Sequence, residues 1–265
     1  MISGLYTAAS GLIAQLTEQD VIANNLANVN TTGYKKDKAL YTSFPNMFLN
    51  RLYDDQTKIP GGSIDTLSPI GVIGKGVQLR IDGVVPDFMT EGSYTPTDNN
   101  LNVAIKGNGM FVISTDKGIK YTRDGNFMVD SNNRLVTSDG NPVLGQRGEI
   151  IIDGSNVHID EGGNVYVDGK LSDTLRIALF DKTDKLRKEG NNLFFLPTGE
   201  SLPEDDYVEN VKVMQGYLES SNVNVVKEMV DMITAFRAYE ASQRAVQSQN
   251  ETLDRAVTDV GNVTI

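Results

Sequence analysis

Residues 225–260 read VVKEMVDMITAFRAYEASQRAVQSQNETLDRAVTDV, with no glycine or proline. Val225, Met229, Met232, Phe236, Tyr239, Gln243, Val246, Asn250, Leu253, Val257 and Val260 step along it by alternating fours and threes. That is the a/d stripe of a coiled coil. At ~1.5 Å per residue such a helix is about 50 Å long and protrudes beyond a small β domain. The opposite end of the chain carries the same spacing in Leu5, Ala9, Leu12, Leu16, Gln19, Ala23 and Leu26. A stripe seeks a partner helix. The ends therefore pair with each other, with copies of themselves, or both. An ordinary intramolecular core is the plainer cause of helical periodicity. Two features favour assembly. Charged Glu228, Asp231, Arg237, Glu240 and Arg244 lie close beside a narrow seam. Gln19, Gln243 and Asn250 put amides in the seam, which costs stability and restricts register.

The first helix is expected over about residues 3–28. Gly4 and Gly11 each lower its propensity by ~1 kcal/mol relative to Ala, so it depends on packing. Asn28-Val29-Asn30-Thr31-Thr32-Gly33 stops it, because Asn and Gly tolerate the left-handed C-cap conformation. Residues 34–75 read as an extended arm or linker punctuated by prolines and glycines, with one or two helical turns in the apolar run Phe44–Leu52. From about residue 76 the period is two. Val77, Leu79 and Ile81 alternate with polar residues, as do Leu101, Val103 and Ile105. Apolar runs follow at 110–113, 150–152, 157–159, 165–167 and 175–180. Asp82-Gly83, Asn108-Gly109, Asp124-Gly125, Asp139-Gly140, Asp153-Gly154 and Asp168-Gly169 read as hairpin turns between short strands. Pro197–Tyr207 reads as an exposed acidic loop, and Val211–Tyr217 as one more strand. Ser220, Ser221, Asn222 and Asn224 supply caps for the last helix. The expected fold is α+β. Terminal helices (1–33 and 218–265) form a paired coiled-coil assembly domain, residues 34–75 link, and residues 76–217 form a central all-β domain.

The chain has 265 residues, a net charge of −11 and no cysteine. The acidic balance argues against nucleic acid, and the cluster Lys35, Lys36 and Lys38 reads as a solvated segment start. Absent cysteine excludes disulfides and thiolate chemistry. Met1 precedes no basic n-region or long apolar run, so neither a cleavable signal nor membrane insertion is expected. His158 is the single histidine, in an alternating strand, and cannot build a zinc site by itself. Lys106-Gly107-Asn108-Gly109 lacks the spacing of a phosphate loop and reads as a hairpin turn. Asp124, Asn126, Asp130, Asn132 and Asn133 offer oxygen ligands without the order of a calcium loop; turn formation explains them. No catalytic, metal or cofactor site is expected. A secreted β-rich adhesive or carbohydrate-binding protein is the competing class. Aromatics at 7% and the absence of tryptophan weigh against it.

Three blocks add a resemblance. Residues 21–35, VIANNLANVNTTGYK, are similar to the signature of bacterial flagellar rod and hook proteins. Residues 98–111, DNNLNVAIKGNGMF, continued by YTRDGNF at 121–127, resemble their β-domain motif. Residues 216–225, GYLESSNVNV, running on through Met229, Met232 and Arg237–Glu240, resemble their C-terminal helix. Length and the third block look most like the distal-rod type or a Gram-positive rod paralogue; a hook-type protein is usually longer. Residues 46–70 fill the place of a rod-specific insertion without its usual wording. The resemblance implies a structural subunit of the basal-body rod that forms a helical homopolymer, transmits torque and encloses the export channel. It also implies contacts with other rod and hook subunits and with the type III export apparatus. Loose termini before assembly are implied too. The expected interface comprises the seam residues above other than Ala9, Ala23 and Val260, with Asn24, Asn25 and Asn28 as caps at its edge.

Overall fold

The computed structural model describes residues 2–43, 48–51, 58–59, 62–63, 68–72, 77–88, 90–180, 186–197 and 211–261. Helix α1 spans Ile2–Ala27 and helix α2 spans Val225–Gly261. Asn224 caps α2: its Oδ1 accepts from the Lys227 N–H at 3.0 Å, and Glu228 lies in the first turn where the helix dipole favours an anion. At the other helix, Asn28 N–H donates to Asn24 O and the chain turns out through Gly33 at φ 64°. A Cβ on Gly33 would lie 2.5 Å from Arg123 C and Asp124 N, so both conformation and space require glycine there.

The described chain divides into two compact units: Met1–Ala23 with Ala39–Val84 and Met229–Ile265, and Asn24–Lys38 with Val85–Glu228. In the first, Ala14, Val21 and Ile22 of α1 are buried, as is Ala235 of α2. Tyr41 Oη donates to Ala14 O at 3.0 Å and lies 2.8 Å from Glu18 Oε2, which docks the strand Asp37–Ser43 on α1. That strand pairs with Val77–Pro86. Phe48–Arg51 is a strand paired antiparallel with Ser68–Val72, where helical turns were expected. Cross-strand pairing overrides local propensity in so short a run. The rest of Phe44–Leu52 lies outside the described residues. Asp82-Gly83 falls inside the strand Val77–Pro86, so it does not close a hairpin.

The second unit is β-rich. Its largest sheet is antiparallel, in the order Ile177–Leu179, Gly109–Thr115, Gly118–Thr122, Leu193–Phe195, Arg187–Gly190. Period-two alternation on Gly109–Thr115 serves two cores. Phe111 and Ile113 join one cluster with Val103, Ile105, Phe127, Leu135 and Val165. Met110 and Val112 join another with Tyr121, Ala178, Leu186 and Phe194. Val157–Ile159, Asn164–Val167 and Lys170–Thr174 form a three-stranded sheet. Its second hairpin turns at Asp168 (φ 49°) and Gly169 (φ 80°), the two positive angles of a type I′ turn. Asn108-Gly109 instead links strands of different sheets, because Val103–Lys106 pairs with Lys212–Gln215. Ile150–Ile152 carries only isolated bridge pairing, opposite Arg134. Tyr217–Glu219 pairs with Tyr94–Pro96, and Gly216 at φ 77° joins the two returning strands. The acidic loop expected over 197–207 lies almost wholly outside the described residues.

Candidate assembly interface and the polar junction beside it

Within the first unit the seam residues do not share one environment. On α2 they separate by heptad. Met232, Tyr239, Val246 and Leu253 are half-buried, whereas Met229, Phe236, Gln243, Asn250 and Val257 are exposed. Phe236 is 53% exposed and Val257 70%. Val230 and Ile233 extend the exposed apolar face. On α1, Leu5, Leu12 and Gln19 are half-buried and Leu16 is exposed, as is Ile13 beside it. Gln19 Nε2 is buried without a hydrogen-bond partner among the described residues. Gly11 faces Ser242: a Cβ there would meet the serine Oγ at 3.8 Å.

Two further seam residues, Leu26 and Val225, lie in the second unit and are half-buried. The three asparagines belong to the same unit. Asn25 is 2% exposed and satisfies the backbone of the departing arm. Its Oδ1 accepts from Asp37 N–H at 2.8 Å and its Nδ2 donates to Asp37 O at 3.0 Å. The same Nδ2 reaches Glu228 Oε2 on α2 at 3.3 Å. Asn28 Nδ2 donates to Asn24 O, and Tyr34 Oη donates to Asn24 Oδ1 at 2.7 Å. Burial raises the Tyr34 phenol, and Asp37 and Glu228 raise it further, so it stays a neutral donor.

Beside these caps lies a charged cluster that the sequence did not disclose. Lys35, expected in solvent, is 2% exposed. Its Nζ donates to Glu219 Oε1 at 2.8 Å and to Thr90 O at 3.0 Å. Arg123 Nε donates to Glu219 Oε2 at 2.6 Å, while its other nitrogens bond Ile105 O and Gly109 O. Gly92 N–H completes the carboxylate. Burial alone would raise the Glu219 carboxyl, but Arg123 and Lys35 outweigh it and hold it below its ordinary range. Lys36 is partly buried and pairs with Glu228 at 3.8 Å; Lys38, more exposed, pairs with Asp87 at 2.7 Å. Asn222 locks the same junction: its Oδ1 accepts from Lys36 N–H, and its Nδ2 donates to Asp87 O and Thr90 O. Each of Lys35, Arg123 and Glu219 falls inside one of the three blocks quoted above. That placement is the one signal that could have singled them out, since no spacing links them.

The cluster of Asx residues makes turns. Asp124 Oδ1 accepts from Thr32 Oγ1 and Asn126 N–H, and Asp130 accepts from Asn132 and Arg134 N–H groups. His158 is exposed on its strand, with Nδ1 3.1 Å from Gln215 Oε1. An open cleft of about 450 Å³ lies between Asn24, Asn28, Tyr34, Asp124, Lys188 and Asn192.

Three family models match along the chain. "Flagella basal body rod protein" covers residues 5–35, "Flagellar hook protein FlgE/F/G D1 domain" covers 104–167, and "Flagellar basal body rod FlgEFG protein C-terminal" covers 214–259. The chain is 36% identical to the flagellar basal-body rod protein FlgG of Agrobacterium fabrum, over 93% of this chain and 95% of the relative. It is 30% identical to the flagellar hook-basal body complex protein FlhO of Bacillus subtilis, over 99% of this chain and 100% of the relative. It is 31% identical to the flagellar basal-body rod protein FlgF of Caulobacter vibrioides, again over 99% and 100%. Matched from end to end by models and relatives of one kind, the chain belongs to the flagellar basal-body rod protein family.

Proposed function

We propose that this chain is a structural subunit of the flagellar basal-body rod, polymerising through its terminal helices into a helical tube. The tube transmits torque and encloses the export channel. Neighbouring rod and hook subunits are its partners, and the type III apparatus exports it to the basal body. The observation that carries the reading is the set of exposed apolar residues on the two helices of the first unit: Ile13 and Leu16 on α1, and Met229, Val230, Ile233, Phe236 and Val257 on α2. Isolated exposed apolar residues are ordinary, but a run at helical spacing marks an interaction surface. Gln19 adds a buried amide that has no acceptor among the described residues. Two contacts between described residues of the helices fit an antiparallel pair within each subunit. Gly11 is fourteen residues before Asn25, and its neighbour Ser242 is fourteen after Glu228, the partner of Asn25. Stiffness then comes from many weak contacts repeated between copies.

Deleting residues 1–20 tests this. The variant is expected to keep a folded β-rich unit, because none of that unit's residues is removed. It is expected to stay monomeric in sedimentation at concentrations where the full chain forms filaments visible by electron microscopy. Filaments from the deletion variant would overturn the reading.

A further inference from the structure

We propose that the β-rich unit holds the last turn of α1 and the first turn of α2 as preformed nuclei, and that both helices order outward from them. Residues 24–27 of α1 and 225–228 of α2 belong to the same compact unit as the strands. Side-chain bonds fix both stubs there. Asn25 is tied to the Asp37 backbone through both ends of its amide, and the same amide holds Glu228. Glu228 is 4% exposed and also faces Lys36. Asn224 caps the opening turn of α2, and Tyr34 pins Asn24.

Beyond the stubs the side-chain anchors are fewer: on α1 the Tyr41 hydroxyl reaches Ala14 O and Glu18 Oε2. The Thr234, Thr252 and Thr258 hydroxyls of α2 bond carbonyls one turn back in their own helix, at Val230, Ser248 and Asp254. Gly4 and Gly11 weaken α1 on the far side of its stub. Starting a helix is disfavoured by about a thousandfold, whereas each added residue is near neutral. A pinned first turn removes the unfavourable step. Direction follows: α1 frays from its N-terminus and α2 from its C-terminus, each ordering along its own axis from its stub. The inference concerns the monomer and does not depend on the polymerisation reading.

Hydrogen exchange by mass spectrometry on the full-length monomer tests it. Protection is expected to be highest at residues 24–27 and 229–232 and to fall steadily toward residues 2 and 261. Glu228→Ala, which leaves every strand side chain in place, should lower protection in both helices at least tenfold. The strand Gly109–Thr115 should keep its protection. Asn25→Ala should do the same to α1. Protection that is uniform along the helices, or that peaks away from the junction, would overturn the proposal. So would an unchanged gradient in Glu228→Ala. Should Asn25→Ala also unfold the strands, Glu228→Ala decides the outcome alone.

Discussion

Glu219 sits between two cations that, like it, are almost fully withdrawn from water. Each of the three nitrogens of the Arg123 fork has an acceptor, and Lys35 has a carbonyl beside its carboxylate. Such a cluster adds little net stability over an apolar core, but removing one partner leaves an uncompensated buried charge. Glu219→Gln is therefore expected to lower the unfolding free energy of the full chain in urea by ~3–5 kcal/mol; a loss below about 1 kcal/mol would show the cluster to be solvated in solution. The same residue sets an acid limit. A carboxyl held low in the folded state contributes stability that is fully present above its unfolded value of roughly 4.3 and disappears as pH falls through the folded value. Wild-type stability should accordingly drop on acidification below about pH 4, and Glu219→Gln should lack that part of the decline. The Asx turns and the Asp168-Gly169 turn were legible in the sequence, because they depend on the local φ preference of single residues. The buried role of Lys35 was not: a lysine in a basic run looks solvated until a strand nearly two hundred residues away supplies its carboxylate.

At the scale of the element, heptad spacing located both helices within a residue or two. It could not say how each seam divides. Periodicity fixes a residue's angle around its own helix; the width of the stripe that a neighbour covers depends on what that neighbour is. Here Met232, Tyr239, Val246 and Leu253 turn partly inward, and Met229, Phe236 and Val257 stay outside. The exposed half is the testable one. Phe236→Lys should shift the monomer's stability by no more than about 0.5 kcal/mol, as expected of an exposed site. Polymerisation followed by pelleting should nevertheless be abolished. Normal pelleting by a stable Phe236→Lys protein would exclude that face from the subunit contact. The strand Phe48–Arg51 shows the converse limit. A four-residue segment has too few turns for its period to decide between helix and strand, and pairing with Ser68–Val72 decides it.

The molecule as a whole joins two units of different character, one built mainly on two long helices and one on small antiparallel sheets around two apolar clusters. Thermal unfolding of the monomer is expected not to be two-state. Helical ellipticity at 222 nm should fall at a lower temperature than the near-ultraviolet signal of tyrosines in the β-rich unit, such as the buried Tyr121; coincident curves would show a single cooperative block. The sequence by itself determined the helices at the two ends, the change of period to two between them, the type I′ turn and the family. Each of these rests on spacing within a few residues or on contiguous blocks of chain. Only the tertiary structure decided which half of each seam stays exposed, that Lys35, Arg123 and Glu219 meet, and that the helix stubs belong to the β-rich unit. The physical reason is range: these features depend on contacts between segments from 96 to 203 residues apart, and no local preference encodes such contacts.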